Sequence, residues 1–323
     1  MNKFSFFVTR LVALFAGLSL SVWAAYPDKP IKLIVPFPPG AGTDATARLL
    51  ANALQTQLNQ TIVVENRAGG GGSIGAQSVA ESPADGYTLF FATTGTLAFN
   101  QHLYAKLKYN PATDFTPIAG IASFNNVLVV HPDLPVKNVQ ELIAMAKSKP
   151  GQLTYASSGT GSSSHLAVIL LESLTETSFT HVPYKGTTPA LADLLSGRVD
   201  FALDNITTYA PLAKQGKVKA LGLSGPNPSG FLPGVPALQS SGVPGYNMVL
   251  WYAVMGPKNL PPEIVSKLSE DIKVVLAQPK VKQALEALGN DTMYMPSKEI
   301  ETFIRNEGAK WGGIVKRAGV KPE

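Results

Sequence analysis

IKLIVPFPPGAGTD (residues 31–44) and LTYASSGTGSSSH (residues 153–165) carry the same device at two distant places in the chain. Each is a short apolar run rich in β-branched or aromatic residues that breaks into a G-x-G loop with hydroxyl residues and then opens a helical pattern. Glycine allows positive φ and lets a ligand approach the backbone with no Cβ in the way. The first turn of a following helix presents amide N–H groups without intrahelical acceptors, together with the positive end of the helix dipole, so such a loop suits an anion. Thr43 and Ser162 stand where N-caps belong. One loop of this kind is an ordinary strand-to-helix turn. Two, in separate halves, point to a ligand gripped from both sides.

Working outward, TIVV (61–64) and YTLFF (87–91) read as further buried strands. Between the first two strands, Ala47, Leu50, Leu54 and Leu58 share one face of a helix over 43–58, and a second helix covers 73–82 after the four glycines at 69–72. The first hundred residues after the N-terminal segment are therefore βαβαβ, which implies parallel strands with right-handed crossovers. The pattern restarts with NVLVV (126–130), a helix over 138–148, LTYA (153–156), a helix over 162–174, and strands in SFTHV, VDFAL and VKALGL. GPNPSGFLPGVPAL (225–238) is a loop by its prolines and glycines, and VLWYAVM (249–255) is a strand followed only by helices near 262–276, 278–288 and 297–317. The expected architecture is two parallel-sheet α/β lobes, residues 25–124 with 250–323 and residues 125–249, crossed by the chain at 121–131 and 249–256.

The chain has 323 residues, no cysteine and a net charge of +5, which falls to +3 without Lys3 and Arg10. No basic run accompanies that charge, so nucleic acid is not an expected partner. The absence of cysteine excludes disulfides, thiolate zinc sites and cysteine nucleophiles. Residues 1–24 combine a basic start, the apolar run LVALFAGLSLSV and a small-residue end, the pattern of a cleavable secretory signal with cleavage after Ala24. A run of about a dozen residues is short of the roughly 20 that span a bilayer.

Competing chemistries are weaker. Gly40, Gly42 and Ala45 fit G-x-G-x-x-A with Glu65 about 20 residues on, but Pro36, Pro38 and Pro39 push the glycines away from the strand end. No G-K-[ST] follows, so a P-loop fails. Ser162, Ser163, Ser164 and His165 lack the G-x-S-x-G elbow, which leaves an exported hydrolase of small carboxylate esters as the alternative reading. His102, His131, His165 and His181 show no metal-ligand spacing, and neither a metal nor a cofactor is expected. Asp204 ends a buried strand, where a carboxylate needs a partner; it accepts from a ligand or caps the next helix. Tyr184 and Lys185 in VPYKG divide in the same way: each contacts a ligand, or the tyrosine packs under the cleft and the lysine is a solvated rim charge; Trp251 and Tyr252 read as core.

Six ordered motifs, from YPDKPIKLIVPFPPGAGTDATARLLA through VVENRAGGGGSIGA, ADGYTLFFATTGTLAFN, YASSGTGSSSHLA and VPYKGTTPALADLLSGRVDFALDN to VKALGLS, resemble the solute-binding receptors of tripartite tricarboxylate transporters, the Bug or TctC-like family. The resemblance implies a periplasmic binding protein of type II that closes like a flytrap on a small organic acid and delivers it to a membrane permease. A ligand-presenting role toward a sensor kinase is indistinguishable from this in sequence. The family's carboxylate loops correspond here to Phe37, Pro38, Gly40, Gly42, Thr43 and Asp44, and to Ser158, Gly159, Thr160, Gly161, Ser162 and His165. The resemblance also brings Thr93, Thr94, Tyr184 and Asp204 to the cleft. Ala41 stands where relatives commonly carry a second glycine.

Overall fold

The computed structural model describes residues 26–317 and Pro322; residues 1–24, the expected export signal, lie outside the described residues. Strands β1 (Ile31–Val35), β2 (Ile62–Asn66) and β3 (Thr88–Thr93) form a parallel set with β1 in the middle. Helices α1 (Gly42–Leu58) and α2 (Ser73–Ala80) make the crossovers, α1 burying Ala47, Leu50 and Leu54 while Leu58 is only half-buried. The second set repeats this plan. Strand β5 (Thr154–Ser157) pairs parallel with β6 (Thr180–Pro183) and β7 (Phe201–Asn205). Its helices are α5 (Ser163–Thr175) and α6 (Thr187–Leu195), numbered after α3 (Asn100–Leu103) and α4 (Val139–Ser148), with α7 (Ile206–Lys214) and strand β8 (Lys219–Leu223) following.

One long antiparallel strand joins the sets and a second lies beside its first half, so each sheet is mixed. Strand β4 (Phe115–Val130) is 16 residues long and changes partners halfway. Up to Asn125 it pairs with β9 (Val249–Pro257), and from Asn126 with β7. The sequence reading began this strand only at residue 126. Pro117 and Gly120 masked its first half, and both lie at register irregularities against β9, where a bulge accommodates breakers. Beyond β9 the chain forms α8 (Pro262–Ala277) and α9 (Pro279–Ala287). It then forms a strand not foreseen, β10 (Asn290–Pro296), before α10 (Ser297–Arg317). NDTMYMP carries little β-branched signal; its pairing is tertiary, running antiparallel to β4 where Gly120 lets Met293 O approach within 2.9 Å of a would-be Cβ. A wide helical turn at Gly95–Phe99, continuing into α3, was also unforeseen and packs Phe99 edge-on against Trp311.

Ser224 ties β4, where it changes sheets, to the segment that leads into β9. Its N–H donates to Asn126 O at 2.9 Å, and its carbonyl accepts the Met248 N–H at 2.8 Å. Its Oγ accepts the Asn126 N–H at 2.8 Å and donates to Met248 O at 2.7 Å. The side chain is fully buried. Ser224→Ala strands both backbone groups without water, and should cost about 1–3 kcal/mol of stability. Urea unfolding checks this; an unchanged midpoint would show that the hydroxyl is dispensable.

Candidate ligand site

A cavity of about 120 Å³ lies at the carboxyl ends of the parallel strands, well below the range of about 300–1,000 Å³ typical of drug-sized ligands. Four helix N-termini open onto it. They contribute Ala41, Gly42 and Thr43 of α1, Ser162 and Ser163 of α5, Gly186, Thr187 and Thr188 of α6, and Asn205 and Thr208 of α7. Thr93, Thr94 and Gly95 add the end of β3. Phe124, Leu250 and Tyr252, on the crossing strands, line it as well, the Phe124 and Tyr252 rings stacked at 4.6 Å. First-turn amides have no intrahelical acceptor, so the wall is rich in donors and in positive dipole ends.

In the first loop Asp44 is a brace. It is buried, and its Oδ2 accepts the Gly40 N–H at 2.9 Å while Arg48 Nε and Asn66 Nδ2 donate to the same carboxylate. Burial pushes its pKa up, but the Arg48, Gly40 and Asn66 hydrogen bonds outweigh that and hold it below the ordinary carboxylate value. Asn66 also donates to Phe37 O at 2.9 Å, fixing the proline-rich turn. The helix opens at Gly42 rather than after Thr43: Ala41 is the N-cap residue in extended geometry (φ −76°, ψ 160°) and makes no side-chain cap. An alanine is at ease there, so its Cβ does not displace the loop. Thr43 is thereby turned to Tyr252, hydroxyl to hydroxyl at 3.3 Å.

The second loop is braced by imidazole. Ser162 caps α5 as expected, its Oγ accepting the His165 N–H. His165 Nδ1 accepts the Gly161 N–H at 3.1 Å, and its ring stacks on His181 at 4.1 Å with planes 7° apart. Ser157 Oγ accepts the Gly159 N–H and shares a hydrogen bond of 2.6 Å with His181 Nε2. Burial lowers the pKa of both histidines to about 4, the neighbouring His181 adding to the effect on His165. The Ser157–His181 pair has the donor geometry of a nucleophile and base, but Ser157 is fully buried and off the cavity wall.

Of the residues expected at the cleft, Phe37, Pro38, Gly42, Thr43, Thr93, Thr94, Ser158, Ser162 and Asp204 are brought together on the cavity wall. The others lie behind it. Gly40 and Asp44 shape the first loop, and Gly159, Gly161 and His165 shape the second. Thr160 O accepts from Tyr104 OH at 2.9 Å across the two sheets, and Tyr184 OH is spent on Asp193 Oδ2 at 2.7 Å. The sequence reading missed the α6 and α7 ends and Tyr252. G-T-T-P at 186–189 was a signal: a glycine, two hydroxyl residues and a proline suited to a first helical turn.

Asp204 is the one acid on the wall among the described residues and Lys185 the one base. Asp204 Oδ1 accepts the Asn205 N–H and Oδ2 the Thr187 hydroxyl. Burial raises its pKa and these two bonds only partly oppose that. Tyr252 is likewise raised by burial. Among the described residues no group of histidines and carboxylates is placed to hold a metal ion, and no helix is long and apolar enough to cross a membrane.

Residues 46–320 match the tripartite tricarboxylate transporter family receptor. The chain is 36% identical over 322 residues to the protein BugT of Bordetella pertussis, an alignment spanning 97% of this chain and 99% of that one. Among solved structures it is similar to Rpa4515 of R. palustris with adipate, with a TM-score of 0.89 and 36% identity over 92% of this chain and 100% of the other. It is similar also to MatC of Rhodopseudomonas palustris with bound malate, with a TM-score of 0.83 and 32% identity over 90% of this chain and 100% of that one.

The paired histidines set a pH dependence. Unfolded, an imidazole takes up its proton near pH 6.5; folded, these two resist it until about pH 4. The unfolded chain therefore binds more protons in that window, and stability falls as pH drops from about 6.5 to 4, by at most about 1.4 kcal/mol per pH unit for each ring. Urea midpoints across the window should decline in the wild type and more shallowly in His165→Asn. A flat wild-type profile would contradict the burial of neutral imidazoles.

Proposed function

The chain belongs to the tripartite tricarboxylate transporter receptor family, and from that premise we propose that it is an exported, periplasmic receptor that captures a small carboxylate between two lobes and hands it to a membrane permease. One observation carries the reading: four helix N-termini, α1 from the first half and α5, α6 and α7 from the second, converge on a small cavity whose wall is otherwise mostly hydroxyl and apolar. Such a wall can solvate a carboxylate by fixed amide donors, each charge-assisted bond contributing roughly 1.5–3 kcal/mol. Rpa4515 with adipate and MatC with malate, both carrying dicarboxylic acids, support the ligand class.

In this reading the lobes are residues 25–124 with 250–323, and residues 125–249, and they hinge where β4 changes partners between Asn125 and Asn126. Contacts across the seam fit the closed form. Tyr104 reaches Thr160, Asn205 Nδ2 reaches Tyr252 OH, and the Thr207 hydroxyl donates to Leu288 O. A carboxylate bridging α1 and α5 binds this form more tightly than an open one, which is the differential affinity that drives closure. The permease then reads the closed surface. Membership makes the protein a receptor rather than an enzyme, and residues 1–24 supply the export signal.

Gly42 lies close against the second lobe, at the Asn205 end of α7. A Cβ there meets Asn205 Nδ2 at 3.1 Å and Thr207 Cβ at 3.3 Å, so the branched side chain of valine holds the lobes apart. Calorimetry of residues 25–323 against C4–C6 dicarboxylates should give saturable binding, with a raised melting temperature at ligand excess. Gly42→Val should keep the urea midpoint and lose affinity by more than about tenfold, or ~1.4 kcal/mol. Full affinity in the variant would overturn closure at this seam, and no binding by the wild type would overturn the receptor reading.

A further inference from the structure

We infer that Lys185 selects for ligands carrying a second carboxylate, holding it at the mouth of the cavity; this rests on the reading of the site as a carboxylate receptor. Lys185 is on the cavity wall and exposed. Among the described residues its ammonium forms no ion pair or hydrogen bond, whereas Arg48, Arg198, Lys267 and Lys310 are each paired with an acid. The wall's one acid, Asp204, is not paired with it and accepts instead from the Asn205 N–H and the Thr187 hydroxyl.

The root of this lysine is fixed even though its tip is not. On one side the Tyr184 N–H donates to Ser157 O at 3.0 Å, and on the other the Gly186 N–H donates to Ser158 O at 3.1 Å. Both bonds lock the segment to the second anion loop. Gly186, at φ +116°, lies against the first lobe, Pro38 Cγ being 3.7 Å from its would-be Cβ. Lys185 therefore leaves the backbone at the seam between the lobes, beside the point where closure seals the cavity.

The amide ends of α1 and α5 can accept one carboxylate with no countercharge. A second carboxylate on the same small molecule repels the first in a partly desolvated cleft, and the hydroxyl wall offers it dipoles but no charge. Lys185 is the cation in place to offset it. A ligand with one carboxylate gains nothing from this side chain, so the lysine discriminates by charge count rather than by strengthening all binding alike.

The test is calorimetry of wild type, Lys185→Gln and Lys185→Arg against succinate, glutarate and adipate, each matched by the monocarboxylate of equal length: butanoate, pentanoate and hexanoate. The wild type should bind its best dicarboxylate at least about tenfold tighter than the matched monocarboxylate. Lys185→Gln should abolish most of that preference by weakening the dicarboxylate about tenfold, leaving the monocarboxylate within about twofold, and Lys185→Arg should retain it. Equal losses for both ligand classes, or an unchanged dicarboxylate affinity in Lys185→Gln, would overturn this inference while leaving the receptor reading intact. If the wild type binds none of the six acids, both fail. Unchanged melting temperatures in the absence of ligand confirm that the exposed substitutions leave the fold alone.

Discussion

A carboxylate can leave water for a closed cavity only if donors replace its hydration, and here the donors are the first turns of helices. That constraint explains the architecture around it. Parallel strands flanked by crossover helices bring helix N-termini to the carboxyl edge of a sheet. Two such sets, with β4 running through both, aim α1 from one side and α5, α6 and α7 from the other at one small space. Fixed amides need no rotamer to be frozen on binding, unlike a long basic side chain.

Backbone donors must themselves be held still. Each anion loop has its own brace, of different chemistry. In the first, a buried Asp44 collects Gly40, Asn66 and Arg48. In the second, His165 takes the Gly161 amide and leans on His181, with Ser157 tying the outer imidazole back to the loop. Both braces face away from the cavity. Side chains that read as ligand contacts thus shape the backbone of the loops that open onto the cavity. At the other end of the scale, Ser224 joins β4, at its change of partners, to the residue before β9.

The two loops were legible because glycine and hydroxyl residues punctuate strand-to-helix turns in a way that core periodicity does not. The first-lobe strands and the helices of both lobes were legible for the opposite reason, their regular burial. What escaped lacked either signal. Phe115–Asn125 is strand by pairing, in spite of Pro117 and Gly120, and Asn290–Pro296 is strand only because β4 offers it an edge. Tyr252 looks like core in the sequence and is almost wholly buried, yet its hydroxyl meets Thr43 and lines the cavity. Distinguishing such a tyrosine from a packed one needs the facing lobe. Asp44, His165 and Tyr184 are the converse: their chemistry suits a ligand, but intramolecular partners already use it.

Capture by helix ends from both lobes is most directly tested by a crystal structure of residues 25–323 with a bound dicarboxylate. The expected result is one carboxylate whose oxygens lie about 2.7–3.2 Å from first-turn amides of both α1 and α5. A ligand held from a single lobe, or by side chains alone with those amides turned to solvent, would contradict it.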